Sequence, residues 1–132
     1  MTRSVPVPSE LTRPFWQAAR DGRLVVPACR ACGLRFFTPE PVCPGCWSAD
    51  WTWQPCSGRG RVYSVTVVHR APGPDFDVPF ALAVVDLDEG AAMLTHVLGV
   101  PPDEVVIGMR VAVDFRIVAE GMRLPYFVPE AD

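Results

Sequence analysis

Two Cys-x-x-Cys pairs carry the clearest chemistry in this sequence. Cys29 and Cys32 frame one pair, Cys43 and Cys46 the other, with ten residues between the pairs. Together they offer four soft thiolates, and zinc takes four such ligands at the corners of a tetrahedron. Four thiolates also close the coordination shell, so the metal implied is structural, with no position left for water or substrate. The rival readings are free dithiols, two disulfides or a redox pair. Disulfides do not suit a reducing compartment, and a redox Cys-x-x-Cys needs a βαβ pattern that surrounds neither pair. Gly33 allows the positive φ often required just past a metal knuckle. Pro44 stiffens the second turn, while Trp47 stands where a small residue is expected and makes that turn less regular. Cys56, the fifth cysteine, sits beside the Ser57-Gly58 turn with only Arg59 and Arg61 as nearby charges, and reads as a bystander.

Other chemistry-bearing residues are sparse. His69 and His96 lie near strand ends; a catalytic pair between them stands beside the plainer reading of solvent-facing or interface residues. All 12 basic residues are arginine. Without lysine there is no Schiff-base lysine and no Walker-type phosphate loop. Arginine's planar fork suits phosphate groups. Arg59, Arg61, Arg70, Arg110, Arg116 and Arg123 qualify by type; most read as the solvated face of strands, and Arg59, Arg61 and Arg70 are the chosen anion contacts. Asp86, Asp88 and Glu89 read as a turn rather than an acid–base site.

The elements that must hold these residues are short. Residues 1–8 read as an extended, proline-punctuated arm. Leu11, Phe15 and Ala18 or Ala19 then fall at helical spacing, with Thr12 as N-cap, Pro14 in the first turn and Gly22 as the stop. Trp16 beside Phe15 exceeds what so short a helix can bury on one core; it packs on the rest of the chain or is offered to a partner. Short strands are expected over 24–27, 34–38 and 51–53 around the cysteines. Gly58-Arg59-Gly60 breaks the composition, and valine-rich strands follow over 61–70, 80–87, 91–98, 109–118 and 122–128, with a helical turn opening at Pro101. In the fourth of these, Val111, Val113, Phe115 and Ile117 form the expected inner face. The fold class is mainly β: arm and helix over 1–23, zinc ribbon over 24–57, and a five-stranded OB-fold barrel over 58–132.

Composition agrees. The 132 residues suit about one domain, and 49% hydrophobic with 20% charged residues suits a soluble globular chain. Fifteen prolines and 10 glycines imply many turns and few long helices. The longest apolar run, 80–85, is far below the ~18 residues of a membrane span. No secretory signal is visible over 1–10, so a cytoplasmic location is the default. A formal charge of −3 argues against a general nucleic-acid binder.

The order of features resembles the bacterial and archaeal proteins that join a rubredoxin-like zinc ribbon to a C-terminal OB-fold and accompany acyl-CoA enzymes. The resemblance rests on Pro14-Phe15-Trp16, the Cys29/Cys32/Cys43/Cys46 ribbon, Gly58-Arg59-Gly60-Arg61-Val62-Tyr63-Ser64, Val67-Val68-His69-Arg70 and Ile107-Gly108-Met109-Arg110-Val111. It spans roughly residues 10–128, and the lead-in to the barrel is more specific than the cysteine spacing. It implies a non-catalytic accessory subunit, not an enzyme by itself, in a hetero-oligomer with a thiolase-like or lipid-transfer-protein-like thiolase or aldolase. Such subunits help form or cover the acyl-CoA channel in sterol, aromatic or fatty acid metabolism and support their partner's stability. A CoA thioester is then the ligand of the complex, with no nucleic acid and no membrane involved. Some relatives carry a fused hydratase domain, which these residues do not include. Two other functions compete. OB barrels and zinc ribbons also bind single-stranded nucleic acid, which calls for exposed aromatics on a basic groove. A stand-alone acyl-CoA-binding protein or enzyme would depend on His69 or His96.

Overall fold

A computed structural model describes residues 5–131. The first four positions of the expected arm, and Asp132, lie outside the described residues. Helix α1 (Arg13–Arg20) starts with Pro14 in its first turn and buries Phe15, Ala18 and Ala19. Thr12 does not act as the side-chain cap. Its hydroxyl accepts the Ser9 N–H (2.9 Å) while the Ser9 hydroxyl accepts the Thr12 N–H (3.1 Å). This reciprocal tie is a capping box three residues early, on the turn that feeds the helix.

Strand β1 (Leu24–Cys29) pairs antiparallel with β2 (Trp51–Cys56), from Leu24 opposite Cys56 to Cys29 opposite Trp51. The strand expected over 34–38 does not form; a single bridge joins Arg35 to Ala28. The Phe36 N–H reaches the Pro27 carbonyl (3.1 Å), but Pro27 has no N–H with which to continue the ladder. The segment instead divides its aromatics. Phe36 is buried with Cys29 and Cys43, while Phe37 lies against Phe15 at 5.2 Å between ring centroids.

Beyond the Gly58 turn, β3 (Arg59–Val68), β4 (Phe80–Leu87), β5 (Ala92–Val97), β6 (Arg110–Ala119) and β7 (Met122–Pro129) close a barrel in the order β3-β4-β5-β7-β6. A single 3₁₀ turn, Pro102–Glu104, sits between β5 and β6. All pairings are antiparallel except the parallel contact of β5 with β7 at Val97 and Phe127. Val62, Val85, Val97, Val111 and Phe127 are fully buried inside. Ile117, expected on the inner face, is 72% exposed. The cause is pairing: β6 adjoins β3 only over 110–112, and past Val113 it has β7 as its one strand partner. There is no barrel interior at Ile117 for its side chain to enter.

The hydrophobic core is continuous across these parts. Phe15, Ala18, Leu24, Val25 and Val26 belong to the same buried cluster as Val62, Val85, Val111 and Phe127. No helix among the described residues is long and apolar enough to cross a membrane.

Candidate functional site

The two cysteine knuckles are built alike. In the first, the Gly33 N–H donates to the Cys29 carbonyl (2.9 Å) and the Cys29 N–H to the Leu34 carbonyl (2.8 Å). In the second, the Trp47 N–H donates to the Cys43 carbonyl (2.8 Å) and the Cys43 N–H to the Ser48 carbonyl (2.8 Å). The residue just past the second cysteine of each knuckle takes the left-handed region: Gly33 has φ 81° and Trp47 has φ 68°. The doubt that the sequence raised at Trp47 is answered by a regular turn, held at a residue poorly suited to it.

The knuckles bring all four sulfurs within 4.8 Å of one another, with Cys29–Cys46 and Cys32–Cys43 separations of 3.6 Å. These exceed a disulfide's ~2.05 Å and agree with the ~3.8 Å edge of a tetrahedron built on 2.3 Å zinc–sulfur bonds. The donor set and its spacing fit zinc: Cys29 and Cys43 from below, buried, and Cys32 and Cys46 from the exposed side. When bound, the ion cross-links the two knuckles and has no open position for chemistry. The thiols also disturb one another. The Cys32 N–H draws Cys29 down to about 7, against opposing desolvation. At Cys46 the Ser48 N–H pulls the value down, but the Cys29 thiol, burial and the other two thiols outweigh it and push it up to about 12. Four thiolates crowd each other, and a divalent cation turns that repulsion into attraction.

The anion candidates are not gathered. Arg59 reaches Glu130 (3.5 Å), and Arg61 is exposed two residues along β3. Arg70 is exposed two residues beyond the other end of that strand, which closes at Val68. The best-connected arginine is Arg110, which donates to both Asp88 oxygens (2.7 and 2.9 Å) and to Glu130 (3.0 Å). Asp88 and Glu89 do stand in the β4–β5 turn, and the Glu89 carboxylate also accepts the Ser57 N–H (2.9 Å), tying that turn to the β2–β3 link. Nothing local in the sequence marks that tie. Cys56 is half-buried, and desolvation, helped by Glu89, raises its thiol pKa.

The histidines differ. His69 is exposed past the end of β3, whereas His96 is half-buried on β5 and stacked on Phe80 at 4.4 Å. His96 also lines a cavity of about 670 Å³ between α1, residues 37–39, β5 and β7. Sequence reasoning noticed Trp16 but missed this cavity, because its walls come from segments distant in the chain, from Pro6 to Tyr126.

Two family models match the chain: "ChsH2, rubredoxin-like zinc ribbon domain" over 16–52 and "ChsH2, C-terminal OB-fold domain" over 53–116. A probable enoyl-CoA hydratase alpha subunit of Thermomonospora curvata is 40% identical over 116 residues, covering 87% of this chain. The chain spans only 36% of that relative's length. A DUF35 domain-containing scaffold protein of Pyrococcus furiosus is 33% identical over 115 residues, covering 86% of this chain and 83% of that one. The benzoylsuccinyl-CoA thiolase subunit BbsA of Geobacter metallireducens is 32% identical over 71 residues, 54% of this chain and 47% of that one. Among solved structures, a chain titled "Ltp2-ChsH2(DUF35) aldolase" superposes with TM-score 0.84 at 37% identity, covering 95% of this chain and 98% of that one.

Proposed function

Because this chain belongs to the family that joins the ChsH2 rubredoxin-like zinc ribbon to an OB-fold domain, we propose that it is a non-catalytic accessory subunit of an acyl-CoA enzyme complex. Its partner in this reading is a thiolase-superfamily subunit running thiolase or aldolase chemistry on a CoA thioester. The observation that carries the proposal is the near-complete match to a chain of the solved Ltp2-ChsH2(DUF35) aldolase. The thiolase subunit among the relatives points the same way.

The chain's own chemistry agrees. A thiolase-type nucleophile needs a thiolate. Four cysteines here stand in one metal-type cluster, and the fifth, Cys56, is held protonated by desolvation and by Glu89. Zinc is structural in this reading, over a ribbon of residues 24–57 that precedes a barrel beginning at residue 58. Arg59, Arg61 and Arg70 are proposed as contacts of the assembly's CoA. Their positions at opposite ends of β3 make Arg59 with Arg61 one contact and Arg70 another.

Co-expression with the thiolase-like protein of a neighbouring gene tests the proposal. The two chains should co-elute on size exclusion, and the partner should lose solubility or activity when expressed alone. A partner that is soluble and fully active by itself overturns the reading.

A further inference from the structure

The cavity against α1 has walls of one chemical kind. Six rings face it, those of Phe15, Trp16, Phe37, Phe76, His96 and Tyr126, and among the described residues no arginine, aspartate or glutamate lines it. The hydroxyls of two of its three threonines, Thr12 and Thr95, are engaged within the chain. Thr12 accepts the Ser9 N–H, and Thr95 donates to the His96 and Pro125 carbonyls (3.3 and 3.4 Å). Leu94, on β5, also lines the cavity and is 66% exposed. That is apolar surface which a covering hydrocarbon would remove from water.

We propose that this groove receives the ring-bearing hydrocarbon end of an acyl-CoA thioester. The inference rests on the reading of the chain as part of an acyl-CoA enzyme and specifies which part of the thioester the chain itself holds. The argument is one of complementarity. A nucleotide diphosphate is held best by cationic forks such as arginine's, and none of the described arginines lines these walls. A two-carbon acyl group would leave most of 670 Å³ unfilled, whereas that volume lies within the ~300–1,000 Å³ of pockets that bury drug-sized ligands. Flat rings lie well against ring faces, in the offset and edge-on arrangements that the wall residues already adopt: Phe15 meets Trp16 edge-on at 5.0 Å. The groove is bounded by helix, ribbon loop and barrel, so its shape depends on the packing of all three.

Calorimetric titration of the zinc-loaded chain with free CoA, acetyl-CoA and phenylacetyl-CoA tests this. Phenylacetyl-CoA should bind about tenfold tighter than the other two, which is the worth of burying one ring. Leu94→Glu should erase that preference without unfolding the chain, because Leu94 is exposed. Ile107→Glu, at another exposed apolar residue outside the groove, should keep it. Equal binding of all three ligands, binding of none, or a preference that survives Leu94→Glu overturns the inference and points to side chains of a partner protein as the occupant. Co-elution with the thiolase-like subunit is read separately, so loss of the groove assignment and loss of the accessory-subunit reading give different results.

Discussion

Trp47 shows how a single residue can be out of step with its fold. It occupies the knuckle position that Gly33 fills in the other pair, at φ 68°, with its side chain 79% exposed. The left-handed region costs an L-residue roughly 1–2 kcal/mol, and an exposed indole recovers little by packing. Trp47→Gly should therefore raise the stability of the zinc-loaded chain by about 1 kcal/mol, read as a higher thermal midpoint. A lower midpoint would mean that the indole contributes to the ribbon. Gly60 presents the opposite case. A Cβ there would press on the Asp86 carbonyl and the Val85 side chain across the β3–β4 pair. Gly60→Ala should cost about 1–3 kcal/mol in a denaturant titration; a neutral result would show that β4 can give way. Both residues were visible in the sequence, Trp47 as a misfit and Gly60 as part of a break. The reason for Gly60 was not, since nothing in residues 58–64 names the strand that crosses them.

At the scale of elements, alternation and turn residues marked β4 at its observed bounds, Phe80–Leu87, and all five barrel strands within a few residues. Alternation failed where a neighbour was missing. Ile117 follows the inward pattern but lies beyond the stretch where β6 has β3 beside it. Pro27 likewise stopped the expected strand over 34–38 by a property of the adjacent strand. What fastens the barrel's turn-bearing end is the Arg110 fork on Asp88 and Glu130, joining the β4–β5 turn to β6 and the end of β7. The Arg110 hydrogen bonds hold the Asp88 carboxyl below its ordinary 3.8, with desolvation opposing. A depressed folded-state value stabilises the chain above the unfolded pKa and loses that contribution as pH falls through the folded one. Asp88→Asn should thus lower the thermal midpoint at pH 7, and the gap from the parent chain should shrink as pH falls below about 4. A gap that stays constant with pH would assign the effect to the turn's geometry and not to the ion pair.

For the whole molecule, length indicated one domain while composition indicated two small units, a ribbon short of core and a barrel. The folded chain reconciles them, because Leu24, Val25 and Val26 on β1 complete the same buried cluster as Val62, Val85 and Val111 in the barrel. Each such side chain is worth roughly 1.5–3 kcal/mol when buried, so the three supply on the order of 5 kcal/mol. That is comparable to the entire stability of a small domain. The four cysteines sit at the far end of the ribbon, where Cys29 ends β1 and Cys43 packs with Phe36, so the metal's cross-link and the β1 register stand or fall together. Chelating the zinc should therefore do more than melt residues 24–55. Hydrogen exchange should show the amides of Val62 and Val111, deep in the barrel, losing protection by a large part of those 5 kcal/mol. If the ribbon amides exchange freely after chelation while Val62 and Val111 keep their protection, the barrel stands alone and the shared cluster is a contact between two independent units.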